Sequence, residues 1–146
     1  MKLAVLQLIT SPSLDDNLSA IEQQLQLLRQ QAGDEPMLVV LPECCLLFGG
    51  HDGQWRQQAE PQGEGPMQSA MATLAKAYDC YLLAGTLPLQ TPDGRAAASS
   101  LLYAPDGELL GRYDKIHLFD VTVADGTGSY RESDNTYPGQ QLTLVD

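Results

Sequence analysis

A glutamate, Glu43, follows an uninterrupted apolar run at residues 37–41 and a proline, Pro42. Such a run predicts a short strand buried on both faces inside a parallel sheet. Open α/β sheets bind ligands beyond the carboxyl ends of their strands, and Pro42 restricts the backbone, so Glu43 is a candidate catalytic carboxylate. A solvated surface charge is the common alternative for a glutamate at a strand end, and it stays open at this point.

A lysine, Lys115, lies among aromatic residues in the segment 113–120. If this segment is extended, Tyr113, Lys115, His117 and Phe119 share one face. A buried ammonium needs a carboxylate beside it, for which Glu43 is the candidate, whereas a lysine on an exposed strand needs none. Both interpretations of Lys115 stay open, and His117 is predicted to be a hydrogen-bonded structural histidine rather than a ligand or a base.

The three cysteines are Cys44, Cys45 and Cys80. They form no CxxC pair and have no histidine at ligand spacing, so the sequence predicts no metal site. We expect all three to be free, buried and hydrophobic in character. Cys44 follows Glu43 directly and is predicted to point away from it as a packing residue, and Cys80 is a weaker candidate nucleophile still.

The first third of the chain has a β–α–β pattern. It predicts a buried strand at 3–8, an amphipathic helix at 16–31 and the parallel strand at 37–41. The candidate N-caps of this helix are Asp15, Asp16 and Asn17.

The remainder predicts a helix starting at Pro66 and ending at residue 78, then strands at 80–87, 99–103 and 108–113 separated by Pro-Asp-Gly turns. Residues 46–65 are predicted to form a long loop or an irregular helix. With no repeat or linker in between, residues 1–146 should form one α/β domain with a mixed sheet and helices on one face.

The composition is acidic, with 19 acidic against 8 basic residues and a net charge of -11. A nucleic-acid binder or a protein that docks on anionic membranes needs a basic surface, so neither partner is expected. The amino terminus enters a strand directly and has no signal-peptide pattern, which predicts a cytoplasmic protein.

Several short motifs, taken together, resemble one family. They are Leu41-Pro42-Glu43-Cys44, the segment 112–120, Tyr130-Arg131-Glu132-Ser133 and Pro138-Gly139. In order and separation they resemble the nitrilase, or carbon-nitrogen hydrolase, superfamily, and most closely its branch of deaminated glutathione amidases and omega-amidases.

This resemblance implies an amidase acting on a small amide, of the deaminated glutathione or α-keto acid amide type. By resemblance, Glu43 is the general base, Lys115 the cation that stabilises the oxyanion, and Glu132 a second glutamate that supports the site. The family's chemistry proceeds through a cysteine thioester and uses no metal and no organic cofactor.

The resemblance also implies that the nucleophilic cysteine comes after Asp146, where this sequence ends. The chain is then a carbon-nitrogen hydrolase domain truncated before its nucleophile, and it should be inactive alone. The alternative is a non-catalytic half-domain that acts as a binding or interaction module.

The family fold is a four-layer αββα sandwich, of which this chain would form the first half. One sheet face, assigned to Val5, Val39, Val40 and Leu83, would then lack part of its cover. Exposed apolar surface drives association, so a homo-oligomer is expected.

Overall fold

The computed structural model describes residues 1–51, 53–122 and 129–146 of the chain. Its strands are β1 (Lys2–Val5), β2 (Met37–Val40), β3 (Tyr81–Gln90), β4 (Ala96–Tyr103), β5 (Leu109–Asp114), β6 (Asp120–Thr122), β7 (Ser129–Arg131) and β8 (Thr136–Tyr137). Its helices are α1 (Leu14–Ala32), α2 (Gln54–Gln57) and α3 (Pro66–Ala77). A 3₁₀ helix spans Glu132–Asp134.

A six-stranded mixed sheet has the order β1-β2-β3-β4-β5, with β8 paired to β4. The pairs β1–β2 and β2–β3 are parallel, whereas β3, β4 and β5 form an antiparallel meander. The predicted mixed α/β fold, with its β–α–β unit and its hairpins, is therefore confirmed. Strands β6, β7 and β8 were not predicted; β6 and β7 form a separate ribbon.

The two long helices begin and end close to the predicted positions. Helix α1 ends at Gly33, whose φ of 63° lies in the left-handed region that glycine favours. Its N-cap is Ser13, whose hydroxyl accepts a hydrogen bond from the Asp16 amide at 3.4 Å, so the candidate caps named from the sequence were wrong. Among the described residues of the predicted loop at 46–65, the only helix is the short α2.

The N-terminus of α3 is capped by a buried carboxylate that sequence reasoning missed. Glu60 is only 5% exposed and accepts hydrogen bonds from the Met67 amide at 2.6 Å and the Gln68 amide at 3.1 Å. Pro66, at the first turn, needs no such partner because it has no N–H. The loop before α3 is thereby fixed against the helix that follows it.

Around β1 and β2 the sheet is covered on one face and open on the other. Met37, Val39 and Leu82 are buried in the core that includes α1 and α3. On the open face Leu3 and Val5 are 69% and 68% exposed. Successive strand residues point to opposite faces, so the strand at 37–41 is fully buried on one face only, and the sequence-based assignment of Val39 to the open face was wrong.

Strand β1 is shorter and more exposed than predicted. It ends at Val5 instead of continuing to residue 8, and it lies at the edge of the sheet with a single partner. Leu6 nevertheless donates its amide to the Val40 carbonyl at 3.0 Å and is buried. An apolar run alone does not distinguish an edge strand with one open face from a central strand.

Candidate active site

Three charged side chains named from the sequence meet in one cluster. The Lys115 ammonium donates to Glu43 Oε1 at 2.9 Å and to both carboxylate oxygens of Glu132, at 3.1 and 3.0 Å. The chain separation of Glu43 and Lys115 is 72 residues, so the fold itself creates this arrangement. Of the two interpretations of Lys115, the one with a carboxylate partner agrees with the structure.

Glu43 lies in the turn that follows β2 at the carboxyl end of the parallel strands. The neighbouring strand, β3, holds this turn in place. A Cβ on Gly85 of β3 would overlap the Pro42 carbonyl oxygen, so only glycine permits this approach. Thr86 adds a second restraint, because its hydroxyl accepts a hydrogen bond from the Cys44 amide at 2.7 Å.

A buried asparagine ties the same turn to the loop before α1. Asn17, 4% exposed, accepts the Ser11 amide at 2.9 Å and donates to the carbonyls of Ser11 at 2.8 Å and Leu46 at 2.7 Å. Its side chain thus joins two loops at the carboxyl edge of the sheet. This role replaces the helix cap that the sequence suggested for Asn17.

Lys115 is the first residue after β5, and its backbone is held on both sides. Its amide donates to the Ala98 carbonyl at 3.0 Å, and its carbonyl accepts the Gly139 amide at 2.9 Å. The strand ends at Asp114, so the alternation that would place Tyr113, Lys115, His117 and Phe119 on one face does not continue. His117 is exposed, which contradicts its prediction as a structural histidine.

Glu132 starts the 3₁₀ helix that follows β7. Besides Lys115, its carboxylate accepts the Phe119 amide at 2.6 Å, and its own amide donates to the Phe119 carbonyl at 3.2 Å. Asp120 holds the next residue in place, since its two oxygens accept the Ser133 amide at 3.0 Å and hydroxyl at 2.7 Å. The hydrogen bonds between Glu132 and Phe119, and those between Asp120 and Ser133, therefore hold Glu132 in place.

The cluster combines one cation with two carboxylates of unequal exposure. The side chain of Glu43 is 54% exposed and that of Glu132 only 13%, with Lys115 at 26%. Partial burial lowers the pKa of Lys115, but the hydrogen bonds and charges of Glu43 and Glu132 outweigh it and leave that pKa above its usual value. Lys115 is thus a permanent cation at physiological pH.

Cys44 does not point away from the site as expected. Its backbone leaves the strand geometry with a φ of 53°, and its side chain lines a cavity beside Glu43. Burial raises the pKa of its thiol, and the Thr86 hydroxyl, 3.9 Å from Sγ, only partly offsets that effect. Cys45 and Cys80 are free and buried as predicted, with burial raising their pKa values to about 12 and about 11.

The cavity at this cluster has a volume of about 250 Å³. Glu43 and Glu132 line it, together with residues of the turn after β2 and of the end of β7. The aromatic side chains in its lining are Phe48, Trp55 and Tyr130. Ligand pockets usually range upward from about 300 Å³, so this cavity suits a small molecule.

Within residues 1–51, 53–122 and 129–146, no group of three side chains is arranged to hold a metal ion. In the same residues, no helix is long and apolar enough to cross a bilayer. The chemistry available in the described part of the site is that of a carboxylate base next to a fixed cation, which suits reactions in which negative charge develops on an oxygen atom.

Sequence reasoning missed the residues that hold the site in place. Gly85 carried a usable signal, because an isolated glycine within a strand pattern marks a close backbone approach. Thr86 and the cavity residues Phe48 and Trp55 carried none, since their positions depend on how distant segments pack.

Comparison with known proteins gives a consistent result. Residues 2–146 match the carbon-nitrogen hydrolase family. The chain belongs to this family. The chain is 40% identical to the deaminated glutathione amidase of Yersinia enterocolitica, over 98% of this chain and 49% of the relative. It is 33% identical to omega-amidase NIT2 of Danio rerio, over 99% of this chain and 50% of that protein.

Among solved structures, this carbon-nitrogen hydrolase chain is similar to Saccharomyces cerevisiae Nit3, a member of branch 10 of the nitrilase superfamily. The TM-score is 0.76 at 26% identity, covering 94% of this chain and 47% of Nit3. The chain spans about half the length of the relatives that it matches. The predicted family and fold class are thereby confirmed.

Proposed function

We propose that this chain carries the general base, the oxyanion-stabilising cation and the supporting carboxylate of an amidase. The observation that carries the proposal is the placement of the Lys115 ammonium within 2.9–3.1 Å of Glu43 and Glu132, the two carboxylates that line a small cavity. The substrate would be a small amide of the deaminated glutathione or α-keto acid amide type. The amidases among the relatives support this choice.

In the proposed reaction Glu43 takes the proton of a cysteine thiol, and the resulting thiolate attacks the amide carbonyl carbon. Lys115 stabilises the oxyanion that forms on the carbonyl oxygen. When the C–N bond breaks, Glu43 returns the proton to the leaving nitrogen, so that ammonia and a thioester result. Glu43 then deprotonates a water molecule, whose attack on the thioester releases the carboxylic acid and restores the thiol.

Glu132 has a different role because both of its oxygens bind Lys115. It would keep the ammonium charged and aimed at the reacting carbonyl, which is what an oxyanion donor requires before the reaction starts. The proposed steps draw only on side chains and water, without a metal or an organic cofactor.

The nucleophilic thiol would come from the part of the related enzymes that this chain does not span. Cys44 is less suited to that role because burial raises the pKa of its thiol, which makes the thiol proton harder for a carboxylate base to remove. We therefore expect no amide hydrolysis by the 146-residue chain alone. The protein would work in the cytoplasm on a small-molecule substrate, and it would self-associate.

A non-catalytic role as a binding or interaction module is the second candidate. The open sheet face favours it, since Leu3 and Val5 are both more than two-thirds exposed. Such apolar surface is typical of sites that another polypeptide covers.

The amidase proposal is tested by measuring ammonia release from small α-keto acid amides. The chain is assayed alone and after extension with the second half of the Yersinia relative. Activity should require the extension. In the extended protein, Lys115→Ala and Glu43→Gln should each reduce turnover by about a hundredfold to a thousandfold without loss of helical content by circular dichroism. Near-normal turnover of either variant would exclude the assigned role.

A further inference from the structure

An arginine that the proposed chemistry does not use holds the segment that carries Glu132. Arg95 comes directly before β4, at the end of the Pro-Asp-Gly turn that joins β3 to β4. Its Nη1 donates to the Ser133 carbonyl at 3.0 Å and to the Thr136 carbonyl at 3.4 Å. Both acceptors lie within or just after the 3₁₀ helix that Glu132 begins, so the β3–β4 turn is tied to the candidate active site.

The turn itself fixes the direction of this guanidinium. The Asp93 carboxylate accepts a hydrogen bond from Arg95 Nε at 2.8 Å and lies 2.7 Å from Nη2, which leaves Nη1 for the two carbonyls. The guanidinium Cζ also lies 5.1 Å from the centroid of the Tyr137 ring. Hydrogen bonds from Arg95 and Thr91 lower the pKa of Asp93 to about 2, so its charge persists at neutral pH. Arg95 is thus oriented before any substrate binds.

Glu132 depends on such support because both of its carboxylate oxygens bind Lys115. The 3₁₀ helix that it begins has only three residues, and so short a helix supplies few hydrogen bonds of its own. Outside contacts must therefore set its position. Asp120 binds the amide and hydroxyl of Ser133, and Arg95 binds the carbonyl of the same residue.

We propose that Arg95 is a positioning residue, whose hydrogen bonds to the carbonyls of Ser133 and Thr136 hold the 3₁₀ helix so that Glu132 meets the Lys115 ammonium with both oxygens. Arg95 does not line the cavity, so it would act through Glu132 and not by touching the substrate. A displacement of about 1 Å at such a group can cost much of the turnover. This inference rests on the proposed amidase function and extends the site to the β3–β4 turn.

The first test measures how fast Lys115 reacts in the 146-residue chain, and it needs no turnover. Acetic anhydride labels only the neutral amine, so trace labelling at pH 8 reports the fraction of each lysine that has lost its proton. Loss of a carboxylate partner lowers a lysine pKa by up to about one unit. Arg95→Gln should therefore speed the labelling of Lys115 about threefold to tenfold relative to Lys2 and Lys76, as measured by peptide mass spectrometry.

The direction of this change separates positioning from general electrostatics. Loss of a nearby positive charge by itself raises a lysine pKa, which would slow the labelling. Glu132→Gln sets the largest acceleration, because it removes the carboxylate charge directly. Arg95→Lys keeps the charge but not the planar fork, so it should restore part of the slow labelling. Arg56→Gln removes the same charge from an exposed position on α2 and should leave Lys115 unchanged.

The second test measures turnover by the protein extended with the second half of the Yersinia relative. Arg95→Gln should lower kcat about tenfold, the lower end of what loss of a hydrogen bond from a charged group costs, because the Arg95 side chain is 30% exposed. KM should stay unchanged, since an interaction that acts only in the transition state affects kcat alone. Arg95→Lys should recover part of kcat, and circular dichroism checks that each variant is folded.

Unchanged or slower labelling of Lys115 in Arg95→Gln would overturn the inference. So would an extended Arg95→Gln protein that keeps the kcat of an active parent, or one that changes only in KM. Failure of the amidase proposal has a different signature, namely no turnover by the extended parent. The labelling of Lys115 then decides by itself whether Arg95 positions Glu132.

Discussion

At the residue scale, the candidate active site is a cluster of charged side chains that the fold brings together from distant positions in the chain. Glu43, Lys115 and Glu132 were candidates from the sequence, and the structure places both carboxylates within hydrogen-bonding distance of the Lys115 ammonium. This pairing raises the pKa of Lys115. Lys115 stays charged because of the two carboxylates, whereas Cys44 stays neutral because burial outweighs the hydrogen bond from Thr86.

The state of Cys44 can be measured directly. Only the thiolate reacts with iodoacetamide, and the pKa of Cys44 lies above its usual 9.0, so alkylation of the folded chain at pH 8 should be slower than in denaturant. The rate should rise steadily with pH while the chain stays folded. Cys45 and Cys80, both fully buried, should react only after unfolding, and peptide mass spectrometry separates the three sites.

Labelling of Cys44 as fast as in the denatured chain would contradict this prediction. It would indicate an activated thiol beside Glu43, and Cys44 would then have to be considered as the nucleophile.

The sequence predicted which charged residues form the candidate site better than it predicted the backbone conformation around them. The types and spacing of residues 41–43 and 113–120 were enough to name Glu43 and Lys115 as candidates, whereas Glu132 was named through the family resemblance. They could not indicate that β5 ends at Asp114, so the single face drawn through Lys115 and His117 was wrong. They also could not indicate the left-handed backbone at Cys44, which depends on contact with β3.

At the element scale, the turn that carries Glu43 depends on its contact with β3. Gly85 permits this contact because a side chain there would overlap the Pro42 carbonyl. Ser100 of β4 donates to the Gly85 carbonyl, which fixes the strand from its other side. Local sequence predicts β2 and β3 separately, whereas their approach is a property of the assembled sheet.

Gly85→Ala should therefore displace the turn and destabilise the fold. Overpacking by one methyl group in a tight contact typically costs about 1–3 kcal/mol, which would appear as a lower denaturation midpoint in urea. Gly111→Ala in β5 is the matched control, because the nearest atom to its Cβ is the side chain of Val145 at 2.6 Å, in the terminal segment. A side-chain methyl group shifts more easily than the backbone carbonyl that Gly85 faces, so the control should lose less stability.

If both alanine variants lost the same stability, the effect would reflect glycine replacement in strands in general. The specific contact between Gly85 and Pro42 would then not be what holds the turn.

At the scale of the whole molecule, the sequence predicted the elements with strong local patterns. The β–α–β unit, the meander and both long helices follow from apolar periodicity, Pro66 and the Pro-Asp-Gly turns. Strands β6, β7 and β8 have two or three residues each; β8 pairs with β4, far earlier in the chain, and β6 and β7 pair with each other. Such short strands leave no periodic signal.

The apolar side chains exposed on one face of the sheet predict how the chain behaves in solution. Leu3 and Val5 on the edge strand are 69% and 68% exposed, and Tyr81 of β3, in register with Leu3 through Leu38, is 36% exposed. Burial of apolar surface contributes about 25 cal/mol per Å², so covering a few hundred Å² of it stabilises a complex by several kcal/mol. We therefore expect the isolated chain to self-associate through this face, with a mass by light scattering that rises with protein concentration.

A double substitution, Leu3→Lys with Val5→Lys, should keep the chain monomeric, because two ammonium groups cannot be buried against an apolar face and charged edge strands resist pairing. Leu27→Lys is the matched control, since Leu27 is 50% exposed but lies on α1, away from the sheet face. It should leave the concentration dependence unchanged. A wild-type chain that stays monomeric, or a control that disrupts association as strongly as the double variant, would show that the open face is not the surface through which copies of the chain meet.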